Sequence, residues 1–116
     1  MKKLLLAALL AGAPSSVFAA GKYDGVWSVQ GTTDVGDCAK TFSGEIEVRD
    51  NDIVSSTAEG ARIVGAIDAT NAVWARLTGG KGVARASGKA GGAAASGAWS
   101  SGSAYCGGRW TARRKR

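Results

Sequence analysis

Thr41-Phe42-Ser43-Gly44-Glu45-Ile46-Glu47-Val48-Arg49 is the stretch that decides the fold. Phe42, Gly44, Ile46 and Val48 alternate with Thr41, Ser43, Glu45, Glu47 and Arg49. Side chains two apart on a strand share a face, so this segment has one face for a core and one for water. Asp50-Asn51-Asp52 follows and supplies the turn of a hairpin. No segment after residue 20 sustains a helical apolar period, whereas short runs of period two separated by turn residues recur. The chain reads as all-β.

Working outward, strands are predicted at 23–31, 53–58, 61–69, 72–78, 82–88, 92–100 and 104–113, with turns at Thr70-Asn71, Gly79-Gly80 and Ser101-Gly102. In the first, Gly25, Trp27 and Val29 share a face; in 61–69, Ile63, Gly65 and Ile67 do. About eight short strands in meander order predict a single small antiparallel up-and-down β-barrel whose first strand lies beside its last.

Three copies of Gly-x-Trp-[Ser/Thr] recur on these strands: Gly25-Val26-Trp27-Ser28, Gly97-Ala98-Trp99-Ser100 and Gly108-Arg109-Trp110-Thr111. Each Gly leaves a notch beside its own Trp in which a neighbouring ring can lie. From 79 to 98, 14 of 20 residues are Gly or Ala, which lets a sheet curl tightly around large side chains. Trp27, Trp99, Trp110 and Phe42 are therefore expected in the core. With Val73, Ala75 and Leu77 facing in, Trp74 and Arg76 face out and form a candidate contact surface. Tyr105 with Arg109 is a second such pair.

Lys2 and Lys3, the apolar run that follows them, and Val17-Phe18-Ala19 with its small residues read as a signal peptide over residues 1–19. The run is far short of the roughly 20 apolar residues of a membrane span. The expected division is then signal peptide 1–19, barrel domain 20–112 and basic tail 113–116. Without Lys2 and Lys3 the formal charge of +6 falls to +4, and Arg113, Arg114, Lys115 and Arg116 account for all of it, leaving 9 basic against 9 acidic residues in the body. That balance speaks against nucleic-acid binding. The tail reads as solvated, with a weak attraction to anionic surfaces.

Cys38 and Cys106 are the only cysteines, and in an exported chain an even count predicts a disulfide, here joining the two ends of the barrel seam. The absence of His removes the usual base of Ser or Cys hydrolysis and the commonest metal ligand. Glu45 and Glu47 share a strand face but it is the solvated one, and Asp34 and Asp37 lack a calcium-loop pattern. No catalytic, cofactor-binding or metal-ligating set emerges, and the chain reads as non-enzymatic and monomeric.

Tyr23-Asp24-Gly25-Val26-Trp27-Ser28-Val29, Gly36-Asp37-Cys38, Cys106 and Gly108-Arg109-Trp110-Thr111 resemble the corresponding parts of small exported bacterial proteins without established function. Some of those carry haem-utilisation or adhesion labels; with no His, no Met beyond Met1 and the two cysteines expected to be bonded to each other, Tyr23 and Tyr105 are the conventional haem ligands that remain. Gly25-Val26-Trp27 also resembles the first strand of calycin-type barrels, among them periplasmic metalloprotease inhibitors. That likeness implies an N-terminal arm, here residues 20–23, entering a protease cleft. The function expected is a non-catalytic binding or interaction protein of the cell envelope, periplasmic or extracellular. Its alternatives are a periplasmic protease inhibitor that uses the arm 20–23, or an exoprotein that binds a small ligand or is associated with haem or adhesion.

Overall fold

Eight strands follow one another around a closed antiparallel barrel: β1 (Gly25–Val35), β2 (Thr41–Arg49), β3 (Asp52–Ser56), β4 (Ala61–Ile67), β5 (Ala72–Gly79), β6 (Gly82–Gly91), β7 (Ala94–Ser101) and β8 (Cys106–Arg114). The computed structural model describes residues 21–57, 61–79 and 82–116. The expected signal peptide, its cleavage site and Ala58 lie outside them. Closure is by β1 against β8, from Trp27 opposite Arg114 to Val35 opposite Gly107, with a bulge between Thr33 and Val35. Cys38 and Cys106 are bonded beside that seam, with their Cα atoms 6.1 Å apart.

β2 has the bounds its alternation predicts, and Asp50 and Asn51 turn with φ of 54° and 62°, as a two-residue hairpin loop with matching twist requires. β1 departs from expectation. It starts at Gly25 and runs on past Gly31 to Val35, because β8 pairs with it there; Tyr23 precedes it in a turn. The tail departs further. β8 extends through Arg114, Lys115 N–H donates to the Val26 carbonyl at 2.7 Å, and Val26 N–H donates to the Arg116 carbonyl at 2.7 Å. Residues 113–116 complete the wall and are not a free appendage.

Two of the Gly-x-Trp copies lie opposite each other in register: Gly97 pairs with Trp110, and Trp99 with Gly108. An added Cβ at Gly97 would come 1.9 Å from the Ser87 carbonyl oxygen, and one at Gly108 1.8 Å from that of Thr32. Only glycine fits where the neighbouring strand's backbone comes this close. Each indole extends over its partner glycine to the next strand. Trp110 Nε1 donates to the Ser87 and Ala98 carbonyls, both at 3.2 Å, and Trp99 Nε1 to the Thr32 carbonyl at 3.0 Å.

Inward positions are apolar and outward ones largely polar, the reverse of a lipid-facing barrel. No helix among the described residues is long and apolar enough to cross a membrane. The buried core comprises Tyr23, Trp27, Val48, Ile53, Ile67, Val73, Ala75, Ala90, Trp110 and Ala112. β3 is the most weakly held strand. A bulge skips Val54 in its pairing with β2, and among the described residues only Asp52 with Ala66 and Ile53 with Gly65 pair it to β4.

Candidate functional site

The chain segment before β1 closes one end of the barrel. Tyr23 is 2 % exposed, and its hydroxyl donates to Asn71 Oδ1 at 2.8 Å. Its N–H donates to Asn51 Oδ1 at 3.1 Å, and its carbonyl accepts the Trp27 indole N–H at 2.9 Å. Asp24 clamps the same segment to the β2–β3 turn, accepting from the N–H groups of Gly21, Asp50 and Asn51 at 2.8–2.9 Å. Partial desolvation raises the Asp24 pKa, but those three N–H groups and Arg114 together outweigh it and hold the carboxyl below the usual range. Arg114 lies 5.4 Å from the Trp27 ring centre and donates to the Lys22 and Asp24 carbonyls, each at 3.1 Å. Tyr23 is thus a plug and not part of a projecting arm.

Above this floor is a cavity of about 320 Å³, walled by Trp27, Val29, Ile46, Ile63, Leu77 and Trp99 among others. It has the size of a small-ligand pocket. Lining residues near the plug, such as Ile67 and Val73, are buried, whereas Phe42, Ile63, Leu77 and Trp99 are partly exposed although they point inward. The cavity therefore opens at the end opposite Tyr23. Phe42, expected in the core, is instead at that mouth: its ring sits over Gly31, packs edge-on against Trp99 at 5.5 Å, and is 43 % exposed. Trp99 is half-buried for the same reason, while Trp27 and Trp110 lie in the core as expected. All three inward indoles spend their N–H on backbone carbonyls, and the polar residues that line the cavity are Ser43, Glu45 and Ser56. Tyr23 and Tyr105 are at opposite ends and form no common site.

On the outer surface, Trp74 is 49 % exposed and Arg76 lies beside it on β5, both facing out as expected. Tyr105 is 83 % exposed, but Arg109 is held by Asp34, Nε to Oδ2 at 2.9 Å and Nη2 to Oδ1 at 3.3 Å. Lys115 pairs with Glu45 across β1 and holds that carboxyl below its usual range.

No family model, no curated protein and no solved structure matches this chain.

The overall charge balance concealed a segregation. All nine acidic residues precede Ala69, while residues 69–116 contain nine Lys and Arg and no acid. Counting each half separately would have found it in the sequence.

Proposed function

We propose that this is a non-catalytic binding protein that carries a small uncharged apolar molecule inside its barrel. The observation that supports it is the 320 Å³ cavity, whose lining is predominantly apolar and whose indole N–H groups are already bonded. Filled with water at about 30 Å³ per molecule it would hold about ten waters with few partners among the side chains, so an apolar occupant displaces them favourably. A charged ligand would lose its hydration against walls that are mostly hydrocarbon and return little.

Export to the cell envelope belongs to the same reading and rests on residues 1–19 together with the disulfide. Protease inhibition is less well supported, because Tyr23 seals the barrel and Gly21 and Lys22 are tied back to Asp24 and Arg114 instead of projecting.

Titration with the apolar fluorophore N-phenyl-1-naphthylamine tests the proposal. One molecule should bind per chain and be displaced by a long-chain alcohol. Ala86→Phe, which fills the cavity from β6, should abolish binding while the chain remains folded. Absence of binding, or undiminished binding by the filled variant, would overturn it.

A further inference from the structure

A second, separate feature lies outside the barrel, where β5, β6 and β7 form a shallow groove of about 450 Å³. Its walls carry Trp74, Arg76 and Arg85, and its floor the small residues Ser87, Ala98 and Ser100. Arg76 and Arg85 are direct cross-strand partners, as are Trp74 and Ser87. Like charges opposed in this way destabilise a sheet. Neither arginine takes part in an ion pair or side-chain hydrogen bond among the described residues. Nor does the second half of the chain contain an Asp or Glu to neutralise them.

A second copy of the chain offers a limited source of the missing anion. Asp34, Glu45 and Glu47 are each paired to a basic side chain of their own barrel, and Asp24 and Asp68 are capped by backbone N–H groups. Asp37, Asp50 and Asp52 are exposed but sit singly at turns, where none presents the paired oxygens that two adjacent guanidiniums suit. Two adjacent guanidiniums suit the oxygens of a phosphate, which they can grip bidentately. A half-exposed indole one step away offers a flat face for a ring, and the two serines offer hydroxyl partners. Single-stranded nucleic acid would call for a succession of stacking rings along a longer basic track, whereas this groove contains one ring and is short.

We infer that the groove binds a phosphorylated sugar, Arg76 and Arg85 taking the phosphate and Trp74 the face of the sugar ring. Such a group occurs free in solution or as the headgroup of a glycolipid.

Isothermal titration of the mature chain with glucose 6-phosphate, glucose, inorganic phosphate and a thymidine oligonucleotide tests this. Glucose 6-phosphate should bind at least about tenfold more tightly than glucose or phosphate alone. Arg76→Gln and Arg85→Gln should each weaken it about tenfold or more, while unfolding at the same temperature as the parent or higher because the like-charge contact is relieved. Trp74→Ala should weaken glucose 6-phosphate but leave inorganic phosphate unchanged. Co-sedimentation with phosphatidylcholine vesicles carrying a phosphorylated disaccharide lipid, lost on the double Arg76→Gln and Arg85→Gln change, identifies a headgroup as the source; binding of the free sugar phosphate alone identifies a soluble one. The inference fails if glucose 6-phosphate does not bind, if the double variant binds it equally well, or if the oligonucleotide binds more tightly.

Discussion

Trp99 lies opposite Gly108 across the β7–β8 ladder, and the relation is reciprocal, since Trp110 lies opposite Gly97. Each glycine lets the backbone of the next strand approach closely, so that the other motif's indole can reach a carbonyl of that strand. The two copies therefore act as one packing unit, which brings both rings into the barrel from adjacent strands without collision.

Gly97→Ala and Gly108→Ala should each destabilise the barrel by about 1–3 kcal/mol, because the added methyl meets backbone that cannot rotate away. Urea unfolding monitored by tryptophan fluorescence measures the effect. Gly102→Ala is the control: nothing lies within 4 Å of its added Cβ, and its stability should be unchanged or slightly raised.

The Cys38–Cys106 bond closes the chain over a separation of 68 residues. Replacing both cysteines by serine should lower stability by about 4 kcal/mol on the chain-entropy account. Thiol labelling of the denatured, unreduced protein should find no free thiol in the parent.

Asp24 should make stability depend on pH. Its folded pKa is depressed, so its contribution is present above the unfolded carboxylate value of about 3.9 and is lost as pH falls through the lower folded value. The difference in unfolding midpoint between the parent and Asp24→Asn should be constant from neutral pH down to about pH 5 and should close on further acidification. A gap that persisted in acid would mean that the carboxylate charge is not what clamps the turn.

Tyr23→Ala removes the plug and should cost about 3–5 kcal/mol, the range for deleting a large buried ring. Tyr23→Phe should cost about 1–3 kcal/mol by leaving Asn71 Oδ1 without its partner. Both changes should also raise the rate at which N-phenyl-1-naphthylamine leaves the cavity, measured by stopped-flow displacement.

How much of this was legible in the sequence depended on whether the signal was local. The bounds of β2 were readable because its two faces differ in polarity at every step, and Trp74 was correctly placed outside because Val73 and Ala75 must face in. Alternation reports a face but not a height along the barrel axis, so Phe42 was read as core although it stands at the mouth. Tyr23 was read as strand and Arg113 to Arg116 as a tail. Their places are fixed by Asn51, Asn71 and Val26, partners remote in sequence that no local pattern reveals. The Arg76–Arg85 pairing needed the β5–β6 register, although the acid-free second half of the chain was visible to a simple count.

The two-pair junction between β3 and β4 gives this ring a preferred place to breathe. A cylinder laced evenly all round must lose many hydrogen bonds at once to admit anything through its side, but here the outer half of β3 can swing away while the other strands stay joined. Amide exchange should be fastest at Val54 and Ser55. A molecule too bulky for the mouth beside Phe42 could then slip in sideways, and the same swing would briefly bare a strand edge with Val54 and Val64 exposed beside it. Access to the interior and the tendency to self-associate would rise together with temperature, both set by one loosely held strand.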